Sequence, residues 1–154
     1  MRNSVAISAA FFFVFFGFAT AQQYMVVLYA EDGRGSVALV SLLLLYSVFL
    51  VTGLFASKLI YIVGGLKRSF AISIGTYAFF VGCIALNNIP LLFLGSMVVG
   101  IGATLLWVAS GQIIGDSSKQ RDVGVHFAYQ MIGQGAGFIA GMYAGAYLFD
   151  ALPK

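Results

Sequence analysis

The sequence predicts an all-α integral membrane protein with five transmembrane helices, and three observations predict it. Of its 154 residues, 61% are hydrophobic and only 8% are charged, where a soluble domain carries about 25% charged residues. Five apolar stretches approach or exceed the length needed to cross a bilayer, which is about 20 residues for a helix. Each stretch is separated from the next by a short break rich in Gly, Asn, Pro or charge, which is turn chemistry.

The predicted spans are Val5–Ala30, Val37–Ser57, Phe70–Leu86, Leu91–Gly115 and Val123–Phe149. Between them lie Glu31-Asp32-Gly33-Arg34-Gly35, Gly64-Gly65-Leu66-Lys67-Arg68, Asn87-Asn88-Ile89-Pro90 and the segment from Asp116 to Asp122. No linker or low-complexity tail interrupts the series, so residues 1–154 read as a single transmembrane domain.

In the first span, Arg2 precedes an apolar run, and Ala19-Thr20-Ala21 has the small-x-small form of a signal-peptide cleavage site. The run nevertheless continues through Tyr24-Met25-Val26-Val27-Leu28 and is long enough to span. Its phenylalanines, Phe11-Phe12-Phe13 and Phe15-Phe16, are expected to face lipid as bulk. Gln22 and Gln23 follow, and two adjacent amides cannot both face hydrocarbon cheaply, so Gln22 is expected to point into the bundle.

The second span runs toward Lys58, and Leu59 to Val63 is too short to cross alone. That segment is expected in the interface, with Lys58 snorkelling to the headgroups. The third span carries the one cysteine, Cys83, which excludes an internal disulfide and reads as a small apolar residue. The fourth holds Trp107 and Gln112. Trp107 lies too deep for an interfacial belt, and its indole N–H requires a partner or a water-filled cavity. Ala109-Ser110-Gly111-Gln112 also echoes Ala19-Thr20-Ala21-Gln22 of the first span, and inverted three-helix repeats make first and fourth spans equivalent.

The fifth span organises the rest. At about 100° per residue, His126, Gln130, Gly133, Gln134, Gly137, Gly141 and Gly145 fall within roughly 120° of one another on a helix. Glycines at every fourth residue from Gly133 make a helix-packing seam, because small residues let backbones approach closely in lipid. The His and two Gln at its start point to a seam that borders a cavity or a partner.

Basic residues set the orientation. With the N-terminus cytoplasmic, six basic residues lie inside (Arg2, Lys58, Lys67, Arg68, Lys119, Arg121) and two outside (Arg34, Lys154). That asymmetry favours a cytoplasmic N-terminus, and an odd number of spans puts the C-terminus outside.

Several function classes are disfavoured. The net charge of +3 is scattered, with no basic run longer than Lys67-Arg68, so nucleic acid is not an expected partner. The sequence has no Walker loop, no metal-ligand cluster and no Ser/His/Asp set, so neither an enzyme nor a bound cofactor or metal is expected. The carboxylates Glu31, Asp32, Asp116, Asp122 and Asp150 all sit at loops or ends. His126 is therefore the titratable relay candidate, although a hydrated interfacial histidine is its plainer reading.

The fourth span carries a resemblance. Gly100-Ile101-Gly102-Ala103-Thr104-Leu105-Leu106-Trp107-Val108-Ala109-Ser110-Gly111-Gln112 resembles the G-x-G-A-x-x-L-W-x-A-Q-G segment of the uncoordinated-ninety-three family, the ion channel regulatory branch of the major facilitator superfamily. Ser110 stands where that family usually has Gln, with Gln112 two positions later. Gly64-Gly65-Leu66-Lys67-Arg68 followed by Gly75-Thr76-Tyr77 is similar to the family's loop and third span. The superfamily's G-x-x-x-D-R-x-G-R-R loop is only partly matched by Gly53 to Lys58, where Ser57 replaces the aspartate.

The resemblance implies that the five spans correspond to most of one six-helix half of a major facilitator fold, the N-terminal half. Members have two such halves, and this chain stops at Asp150-Ala151-Leu152-Pro153-Lys154 where a sixth span is expected. A second half, a partner chain or a homodimer packing on the fifth span would then complete it within the lipid bilayer. Two functions follow as expectations. One is half of a solute carrier of unknown substrate, its cavity lined by Gln22, Trp107, Gln112, Gln130 and Gln134. The other is a non-transporting accessory protein that regulates or chaperones another membrane protein such as an ion channel or receptor.

Overall fold

The structure, a computed structural model, describes residues 2–119 and 121–151. Its described elements are helices: α1 (Arg2–Glu31), α2 (Gly35–Gly53), α3 (Ala56–Val63), α4 (Leu66–Ala85), α5 (Ile89–Ser117) and α6 (Val123–Ala151). Lys154, counted above on the outer side, lies outside the described residues.

Helix ends follow local chemistry. Glycines with positive φ, Gly33 at 70°, Gly64 at 95° and Gly65 at 103°, make the turns after α1 and α3. These left-handed angles are open to glycine without a Cβ penalty. Asn88 starts α5, its Oδ1 accepting from the Leu91 N–H at 3.1 Å, and Pro90 occupies the first turn, where its missing N–H costs nothing. The second predicted span ends early. α2 stops at Gly53, Leu54 and Phe55 turn, and Ala56 to Val63 form a separate helix that takes in Ser57 and Lys58. Apolar residues continue across the turn, which hid the break from hydropathy.

Among the described residues, four helices are long and apolar enough to cross a membrane: α1 from Ser4, α2, α4 and α5. The fifth predicted span forms α6, of comparable length at 29 residues. It carries His126, Gln130 and Gln134, polar side chains that interrupt its apolar residues. The chain is an all-helical integral membrane protein.

By backbone contacts the chain divides into two compact units, one of Met1–Gly35 with Ile114–Lys154 and one of Ser36–Ile113. In the first, α1 and α6 pack along their length. Substitution geometry gives the register: a Cβ at Gly133 would meet Ser8, at Gly137 the Phe12 carbonyl, at Gly141 the Phe16 carbonyl and Ala19, and at Gly145 Gln23 and Thr20. The contacts step by four residues in the same direction on both helices, so α1 and α6 run parallel. Two hydroxyls tie them, Ser8 Oγ donating to the Tyr129 carbonyl at 2.7 Å and Thr20 Oγ1 to the Gly141 carbonyl at 3.0 Å.

The phenylalanines of α1 depart from the expectation of lipid-facing bulk. Phe11 and Phe15 are buried and stack on each other at 5.7 Å, while Phe13 is 70% exposed. A run of adjacent residues wraps around a helix at about 100° per step, so it cannot all face one medium.

In the second unit, α5 is the central element. Ser41 and Ser96 share a hydrogen bond at 2.6 Å, Thr52 and Thr104 another at 2.7 Å, and a Cβ at Gly100 would meet the Leu45 carbonyl at 2.7 Å. Residue numbers rise together on both helices, so α2 and α5 are parallel. Against α4 they run oppositely: Gly95 faces Cys83 and Phe80, and Gly102 faces Thr76. The short α3 packs through Ile60 into a cluster with Leu105 and Ala109, bordered by Leu66 and Phe70 of α4.

Candidate functional site

The residues expected to line a cavity divide between the two units: Gln22, His126, Gln130 and Gln134 belong to the first, Trp107 and Gln112 to the second. Within the first unit, α6 brings His126 and Gln130 together one turn apart, both on its buried side, at 8% and 1% exposure. Gln134, one turn on, is half-buried. The glycines Gly133, Gly137, Gly141 and Gly145 continue that side and are buried against α1. The glycine seam is thus occupied within the chain, so any external partner of α6 has to use its other side.

Gln22 lies elsewhere along the pair. Because Ser8 sits at Gly133 while Thr20 and Gln23 sit at Gly145, Gln22 is displaced from Gln130 by between four and five turns, roughly 25 Å at the helical rise. Gln22 is half-buried, and its Oε1 is buried without a hydrogen-bond partner. Its neighbour Gln23 lays its Cβ and Cγ against Gly145. Gln23 is thus an amide whose stem packs on α6. Only knowledge of where α6 docks could have shown this.

In the second unit Trp107 is half-buried in the middle of α5, and Gln112, near its end, is exposed. Ser110, which takes the place of a glutamine in the resemblance above, is fully buried, and its Oγ donates to the Trp107 carbonyl at 3.0 Å. A hydroxyl turned onto its own helix is unavailable to a solute.

His126 is largely buried, at 8% exposure. Its Nδ1 is buried and has no hydrogen-bond partner. It lines a half-open pocket of about 260 Å³ with Asp122, Val125 and Tyr129 at the start of α6. Asp122 precedes the helix, and its carbonyl accepts from the His126 N–H at 3.2 Å. The sequence signal for this pocket was Asp122 just before the helix, with His126 four residues on and Tyr129 one turn further.

The arrangement joins buried amide and imidazole groups to parallel helices held by glycine contacts. Buried polar atoms without protein partners demand water or a ligand, and in a membrane protein such groups mark pathways or partner contacts. In comparison with known proteins, a family profile described as Major Facilitator Superfamily matches residues 6–153. Among curated proteins and solved structures no match was found.

Proposed function

The chain belongs to the Major Facilitator Superfamily, and on that premise we propose that it is the N-terminal, transporter-type half of a solute carrier. The observation that carries the reading is the family match over residues 6–153, nearly the whole chain. In this reading residues 1–154 are one transmembrane domain, α6 is the fifth span, the N-terminus is cytoplasmic and the C-terminus outside. The parallel runs of α1 with α6 and of α2 with α5, and the opposed run of α4, support it, because five alternating crossings produce that pattern. No catalytic step is part of it.

Gln22, Trp107, Gln112, Gln130 and Gln134 are the proposed solute-facing residues, and His126 the proposed proton-handling one. Support comes from the unpaired Gln22 Oε1 and His126 Nδ1. A polar group buried without a partner costs roughly 1–3 kcal/mol by mutational measure, and water or solute in a cavity removes that cost.

The second reading is an accessory protein of the uncoordinated-ninety-three type. A separate observation favours it: the side of α6 away from α1 exposes Ile132, Ile139, Tyr143 and Tyr147, each at 59% or more. Large aromatic side chains are the usual anchors of protein contacts.

Single cysteines at Gln22, Trp107, Gln112, Gln130 and Gln134 in a Cys83→Ser background separate the two. A carrier half makes them reactive toward a small hydrophilic thiol reagent in sealed vesicles, despite their positions inside helices. An accessory protein leaves them unreactive, and Tyr143→Ala with Tyr147→Ala instead abolishes co-purification of the partner.

A further inference from the structure

We propose that the turn joining α3 to α4 is a binding site for anionic phospholipid, with Lys58, Lys67 and Arg68 holding the headgroup phosphate. The unit Ser36–Ile113 contains these three cations and not one carboxylate. In the loops outside that unit, basic residues have carboxylates nearby: Arg34 pairs with Asp32 at 2.6 Å, and Lys119 and Arg121 have Asp116 and Asp122 beside them in sequence. Lys58, Lys67 and Arg68 are exposed, and none has an ion-pair partner among the described residues.

Lys67 and Arg68 open α4 directly after the turn, and Lys58 lies less than two helical turns before it on α3. Gly64 and Gly65, at φ 95° and 103°, reverse the chain sharply between α3 and α4. Arg68 folds back over that turn, since a Cβ at Gly64 would lie 3.1 Å from its Nη1. α4 then starts at Leu66, and its N-cap Gly65 has no side chain to cap the first turn, whose N–H groups are of the sign a phosphate seeks.

The apolar surface beside the charges fits an acyl chain. Leu54, Phe55, Tyr61 and Ile62 are exposed at 57–85%, while Ile60 of the same short helix packs inward on Leu105 and Ala109. An amphipathic helix with basic residues beside exposed apolar ones lies in the membrane interface, and clustered basic residues there attract anionic lipid. The proposal is independent of whether the protein transports a solute.

Native mass spectrometry of the purified full chain, titrated with phosphatidylglycerol and phosphatidylcholine of equal chain length, tests it. The expected result is preferential retention of phosphatidylglycerol. Each single substitution among K58Q, K67Q and R68Q weakens that preference about fivefold, and the triple variant brings it to parity. The charge-preserving K58R/K67R/R68K variant and the K119Q/R121Q variant keep it, which separates loss of charge from loss of fold. Inorganic phosphate at the same concentration does not displace the lipid, because the apolar side chains hold its acyl chain. Parity in the parent protein, preference retained in folded K58Q or R68Q, or displacement by inorganic phosphate alone would each overturn the proposal. An acidic protein partner as occupant would appear as parity between the two lipids.

Discussion

His126 shows what one side chain can and cannot reveal in a sequence. A lone histidine near a helix start is read most simply as hydrated, yet here it is 8% exposed with Nδ1 unpaired. The burial comes from tertiary packing, which no local pattern encodes. Because an orphaned buried polar atom costs stability and removing it can be neutral or favourable, His126→Leu is expected to leave the unfolding midpoint in detergent unchanged or raise it. A fall of several degrees would mean that the imidazole makes a stabilising bond. The hydroxyl pair Thr52 and Thr104 behaves oppositely. Their 2.7 Å bond links α2 to α5, and a double-mutant cycle with Val at both positions should show a coupling of about 0.6 kcal/mol, the usual scale for such bonds in membrane helices. A coupling of zero would mean that the pair is geometric coincidence.

At the scale of elements, apolar length and turn residues placed the helices within a few residues of their ends. The glycine repeat of α6 announced a close helix contact, but its partner was not legible, since a seam of bare backbone is complementary to many surfaces. The structure supplies α1, with Phe12 and Phe16 carbonyls opposite Gly137 and Gly141. Gly137→Leu or Gly141→Leu should therefore destabilise the isolated chain, by on the order of 1–3 kcal/mol for an overfilled contact, without any partner present. Ile139→Leu and Ala146→Leu, on the exposed side, should be mild. Equal tolerance of all four in thermal unfolding would show that the α1–α6 contact contributes no stability. The independent helix α3 was missed in part for the reason given by its sequence: Leu54 and Phe55 keep the chain apolar through the turn, so composition gave no boundary where backbone direction changed.

Across the whole molecule, membership of the superfamily and the directions of the helices bear on one topology. Membrane residence was plain from 61% hydrophobic against 8% charged residues. The grouping of the candidate polar residues was not, because depth along a helix pair depends on register, and Gln22 and Gln130 share a helix pair but not a level. The central proposal is five crossings with the N-terminus inside, and accessibility on intact cells tests it most directly. Gly33 and Gly65 are unsuitable for cysteine, their φ values of 70° and 103° being strained for any side chain, so Glu31, Ser57, Asn88 and Ser118 serve instead in a Cys83→Ser background, with an epitope appended after Lys154. The account predicts that an impermeant maleimide labels cysteines at Glu31 and Asn88 without permeabilisation and those at Ser57 and Ser118 only after it, and that antibody reaches the epitope from outside. Labelling of Ser57 and Ser118 on intact cells, or an epitope reached only after permeabilisation, would contradict it.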